Sequence, residues 1–134
     1  MLLLDERILA DGVHARTWAR LADDARVELS EDLGPTGSLS IGALDRVMAR
    51  YGRPLEAGVA AEGEALELPG GYRLRRLRFH AIVDATGRDY LVWERPDGEP
   101  LAAVATMVTA ALRYLVARLA DATAGRTPPQ ETET

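Results

Sequence analysis

With 134 residues, 47% of them hydrophobic, the chain can bury one real core and is too short for two. A formal net charge of −5 gives it no global attraction to a polyanion, while 28% charged residues suit a folded chain over most of its length. Arginine supplies all the Lys/Arg-type charge and cysteine is absent, which excludes thiol nucleophiles, disulfides, Cys-based zinc sites, Fe–S clusters, Schiff-base or phosphate-loop lysines and a lysine-dependent carboxylate nuclease centre.

The opening MLLL is interrupted by Asp5 and Glu6 and has no basic region ahead of it. It does not read as a secretory signal, so a cytoplasmic location is the expectation. From about Val13 to Leu33, His14, Trp18, Leu21, Ala25 and Leu29 recur at helical steps, while Arg16, Arg20, Asp23, Asp24 and Arg26 fall mostly elsewhere. That spacing predicts a first amphipathic helix, ended by the "GPTG" that follows. A second, shorter helix is predicted from near Ser40, with Ser38 or Ser40 as its cap and Ile41, Leu44, Val47, Met48 and Tyr51 at helical spacing. Gly52, expected in a left-handed conformation, and Pro54 stop it.

Beyond Pro54 the period changes. "ALEL" before Pro69, Gly70 and Gly71 reads as a short strand entering a turn. Tyr72 and Leu74 then share one parity, and Leu77, Phe79, Ala81 and Val83 share the other. The switch at Arg75 and Arg76 fits either a β-bulge or a sheet that turns from one partner to another. "DATGRD" reverses the chain and "YLVWE" returns as a strand, with either Tyr90 and Val92 or Leu91 and Trp93 toward the core.

Asp97 is placed to cap a last helix, predicted from about Glu99 to Ala120. Its first turns carry no charge on any side, so it must be covered all round, by the sheet and the N-terminal helices or by a second copy of the chain. Ala103, Met107, Ala110, Ala111 and Tyr114 are the candidate oligomer interface. The uncharged run from Pro100 to Leu112 stops at Arg113, too short for a membrane span, so no membrane insertion is expected. Residues 121–134 have no apolar anchor and are expected to be a disordered tail on a single domain over 1–120.

Charge is unevenly spread: residues 72–95 carry six arginines against three acids in an otherwise acidic chain. Arg73, Arg75, Arg76, Arg78, His80 and Arg88 are therefore the candidate partner-binding ribbon. In the alternative structural reading, the arginine stems cover the outer sheet face and their heads meet Asp84, Asp89, Glu94 or the acids of 62–67. His14 and His80 fall in no metal-binding spacing, and Asp11 with His14 offers two ligands at most. Neighbouring acids such as Asp23 and Asp24 have solvated surroundings, and no GxSxG, GxGxxG or GxxxxGK pattern occurs. No catalytic residue, metal ligand or cofactor is assigned.

The fold expected is α+β, ordered α-α-β-β-β-α, with a small antiparallel meander packed against helices. In outline alone, such an acidic, dimeric arrangement is similar to several families of small bacterial secretion chaperones and adaptor proteins. The expected function is a non-catalytic, chaperone-like adaptor or regulatory protein acting through protein binding as a homodimer, with an acidic protein or peptide as a further partner. An arginine-mediated nucleic-acid binder and a small enzyme with a dispersed site around His80 are the alternatives.

Overall fold

The computed structural model describes residues 1–32, 34–55, 64–77 and 88–123. It is an α+β domain with two antiparallel sheets and two helices. The first sheet is a meander of β1 (Leu2–Ile8), β2 (His14–Leu21), β3 (Val27–Glu31) and β4 (Gly34–Leu39), in that order. Helix α1 (Ile41–Tyr51) follows directly, then the short β5 (Arg53–Pro54). The second meander comprises β6 (Ala65–Leu68), β7 (Tyr72–Leu77), β8 (Tyr90–Glu94) and β9 (Leu101–Val104), with β5 added on the outer edge of β9. Helix α2 (Ala105–Thr123) closes the fold.

The predicted helix over 13–33 is instead a hairpin, and MLLL opens its neighbouring strand. The same residues also fit a period of two, with Thr17 and Ala19 buried on one face and Arg16, Trp18 and Arg20 on the other. Tight turns on both sides decide between the periods. At Asp11 and Gly12, the Leu9 N–H donates to the Val13 carbonyl at 2.8 Å and the Val13 N–H to the Asp11 carboxylate at 3.1 Å. At 22–26, Ala25 takes a φ of 62° and the Arg26 N–H donates to the Asp24 carboxylate at 3.2 Å. A chain reversed at both ends of an eight-residue segment pairs with its neighbours and leaves no room for a long helix. "GPTG" likewise belongs to an edge strand, β4, and not to a loop.

The second predicted helix stands. The Ser40 hydroxyl accepts the Ala43 N–H at 3.1 Å, and Ala43, Leu44 and Met48 are buried. Gly52 is not left-handed but extended, at φ −87°. Glycine is needed there for space, since a Cβ would lie 2.5 Å from the Met48 carbonyl oxygen and 3.0 Å from the Leu101 Cβ. The last helix begins later than expected. Leu101–Val104 form β9 between β8 and β5, Asp97 lies in the preceding loop, and the helix starts at Ala105 and continues to Thr123. A short apolar run bounded by Pro100 serves a central strand as well as a helix.

Leu91 and Trp93 face the core, and Tyr72 stacks on Trp93 with ring centroids 5.1 Å apart. The β7–β8 register runs without a shift from Arg73 to Leu77, so no bulge lies at Arg75 and Arg76. Leu77 and Val92, on the opposite face from Leu74 and Trp93, are buried outside the main cluster, and the parity switch is a sheet buried on both faces. Register shifts lie instead in the first sheet, in β1 between Leu3 and Asp5 and in the β3–β4 pairing between Leu29 and Ser30. Residues 56–63, the predicted strand positions Phe79, Ala81 and Val83, most of "DATGRD" and the tail beyond 123 lie outside the described residues.

Each half of the chain is thus four antiparallel strands followed by a helix, and the halves exchange helices. Helix α1 lies against β9 of the second sheet, and α2 lies against β4 and β1 of the first. The sheets meet in matching fashion, β1 against β7 and β2 against β6. The core fills the space so enclosed, with Leu2, Leu29, Leu39, Leu44, Leu91 and Trp93 sealed from solvent. Each such leucine contributes about 1.5–3 kcal/mol of burial.

Candidate functional site

Three surfaces or clusters concentrate chemistry, and the strand pleat decides which arginine belongs to which. Arg73 and Arg75 share the sheet face opposite Trp93. The Arg73 Nε lies 2.6 Å from Glu67, its Nη1 donates to Glu94 at 3.3 Å, and the Arg75 Nε donates to the other Glu94 oxygen at 3.1 Å. The Glu67 contact, with the Glu94 charge behind it, raises the Arg73 pKa above its ordinary value. These are the cross-ladder pairs of the structural reading. Arg88 is exposed just ahead of β8, while Arg78 and His80 lie outside the described residues. His14 is a surface histidine 3.2 Å from Glu6, and that hydrogen bond, ahead of the charge on Arg16, lowers the Glu6 pKa.

The second surface is the outward side of α2. Ala103, expected there, is on β9 and buried in the core, so it cannot belong to an exposed interface. Met107, Ala110 and Tyr114 are exposed along one line of the helix, and Ala111 beside them is half-buried. The Arg118 guanidinium sits 5.6 Å from the centre of the Tyr114 ring and donates to its hydroxyl at 3.0 Å.

The third cluster is assembled from strands that the helical spacing of residues 13–33 conceals. Asp5, Thr17 and Glu31 form one row across β1, β2 and β3 on the inward face. The Thr17 hydroxyl donates to Glu31 at 3.4 Å, and the Arg113 Nε of α2 donates to the same Glu31 oxygen at 2.5 Å. One turn before Arg113, the Thr109 hydroxyl is buried without a hydrogen-bond partner among the described residues. Arg76, on the Trp93 side of β7 and away from Arg73 and Arg75, crosses to the first sheet. Its Nη1 donates to the carbonyls of Leu4 at 2.7 Å and Leu3 at 3.3 Å, and its Nη2 to Asp89. Burial raises the pKa of Asp5, ahead of the opposing pull of the Glu6 amide and of Arg76, Arg7 and Arg113. The inward alternation of Asp5, Thr17 and Glu31 becomes visible only once residues 14–31 are read with a period of two.

Among the described residues, no three His, Cys, Asp or Glu side chains are grouped as a metal site requires, and no helix is long and apolar enough to cross a membrane. Comparison with protein-family models, curated proteins and solved structures gives no match.

Proposed function

We propose that this chain is a non-catalytic protein-binding module of the adaptor or chaperone class, acting in the cytoplasm, which pairs with a second copy of itself through the outward side of α2. The observation that carries the reading is the exposed, uncharged line of Met107, Ala110 and Tyr114 on that helix. Met107 and Tyr114 lie two turns apart, about 10 Å along the axis, with small Ala110 and Ala111 midway between them. An antiparallel two-fold crossing at the alanines sets Met107 against Tyr114 of the partner subunit at both ends, a self-complementary contact of thioether on aromatic ring. Arg118, already engaged by Tyr114, stays at the rim. The pairing of Arg73 and Arg75 with Glu67 and Glu94 favours this surface over docking of an acidic peptide on the ribbon.

Light scattering and sedimentation at two salt concentrations test the proposal on the wild type and on Met107→Asp with Tyr114→Asp. The expected result is a salt-insensitive dimer that the double variant reduces to a monomer with unchanged circular dichroism. A wild type that remains monomeric at about 100 μM, well above the Kd of a specific dimer, overturns it. So does a monomer that gains mass at low salt when an oligonucleotide is added, since that result favours arginine-mediated nucleic-acid binding.

A further inference from the structure

We propose that Asp5, Arg76 and the bulge of β1 form a proton-responsive joint between the two halves of the molecule, closed most firmly when Asp5 is neutral. The joint is independent of whether the chain pairs with a second copy.

A bulge leaves one residue out of the ladder, and in β1 that residue is Leu4, between Leu3 paired with Trp18 and Asp5 paired with Thr17. Arg76 reaches across from β7 to take its carbonyl at 2.7 Å together with the Leu3 carbonyl at 3.3 Å. One guanidinium therefore fastens the second sheet to an irregularity in the first. Its remaining arm is held by Asp89, just ahead of β8.

Asp5 stands beside this fastening, 7% exposed, with Thr17 opposite it at 2%. Among the described residues it makes no ion pair, and two guanidiniums near it are engaged elsewhere, Arg76 by Asp89 and Arg113 of α2 by Glu31 of β3. Arg7 on its own strand is a third charged group near it, and Thr17 on β2 contributes a hydroxyl already given to Glu31. A buried carboxylate so placed is costly when ionised, and parting the two sheets enough to admit water relieves that cost.

The closed form thus holds the proton on Asp5 more tightly than an opened form does, in line with the upward displacement that burial gives this carboxyl. The closing contribution is fully present below the ordinary value of 3.8 and is lost as the pH rises through the raised one. Within that window the opening equilibrium grows by up to about tenfold per pH unit, the limit for one proton.

Amide hydrogen exchange, with its intrinsic pH dependence divided out, tests the joint in the wild type, Asp5→Asn and Arg76→Gln, beside an NMR titration of the Asp5 carboxyl in the wild type. Protection at β1 and β7 amides is expected to fall with rising pH, by up to about tenfold per unit, until the Asp5 midpoint and then level off. In Asp5→Asn the profile is flat, and in Arg76→Gln protection of β1 is lower at every pH. An Asp5 midpoint at or below the ordinary value overturns the proposal, and that measurement needs no variant to fold. So does an unchanged pH profile in Asp5→Asn, or an equal change at α1 amides, which would make the effect one of global stability.

Discussion

Replacing Asp45 with alanine tests how α1 is held on the second sheet. The indole of Trp93 is sealed in the core, and its Nε1 donates to the Asp45 carboxylate on α1 at 2.7 Å. Alanine leaves that N–H buried and unpaired, a loss of about 1–3 kcal/mol, and the lost bond is of the stronger, charge-assisted kind. Alanine's higher helix propensity returns about 0.5 kcal/mol, so the net expectation is a loss of about 2 kcal/mol. For a domain of this size that is roughly 8 °C in Tm. Urea unfolding followed by circular dichroism reads it as a lower midpoint at unchanged slope. Asp45→Asn keeps a carbonyl acceptor and is expected to lose about half as much. If Asp45→Ala lies within about 0.5 kcal/mol of the wild type, the ordinary range for a surface substitution, then the indole N–H has another partner and this account of the docking of α1 is wrong.

Gly37 has a φ of 147° and would place a Cβ 2.5 Å from the Val116 Cγ1, so Gly37→Ala is expected to cost about 2 kcal/mol or more. Thermal unfolding of Gly37→Ala with Val116→Ala should show only partial recovery, because the second change frees the space and leaves the backbone strain. Glu31→Gln weakens the tie between β3 and α2, but with both partners about a third exposed the loss is expected near 0.5–1 kcal/mol. Its dependence on salt, read from urea midpoints at two ionic strengths, distinguishes a lost ion pair from lost packing.

The sequence was legible where one local signal dominated. Ser40 followed by Ile41, Leu44 and Met48 gave a capped helix, and "YLVWE" and the turn at Gly70 and Gly71 gave strands in the right places. It misled where alanine made two periods equivalent: Ala15 and Ala19 fit a helix by propensity and a strand by parity. The deciding signals, Asp11 with Gly12 and the acids at 23 and 24, were present as turn chemistry and outweighed by spacing. Met107, Ala110 and Tyr114 lie on an exposed helix side as their spacing predicts, whereas Ala103 does not, because the apolar run there is still strand. The row of Asp5, Thr17 and Glu31 was out of reach, because it is assembled from three strands whose pairing no local pattern announced.

Exchange of helices between the halves explains why a small, alanine-rich chain needs directional polar ties. Neither meander has its own helix as sole cover: the first sheet depends on α2 from the far end of the chain, and the second on α1 from the near one. Apolar contact alone is non-directional and would tolerate a helix sliding along its sheet. Asp45 with Trp93, Glu31 with Arg113 and Arg76 with the Leu4 carbonyl are directional, and each joins an element of one half to an element of the other. They fix the register of an arrangement that burial drives but does not specify, and Asp5, without an ion pair among the described residues and beside two of them, is where protonation can act on that register.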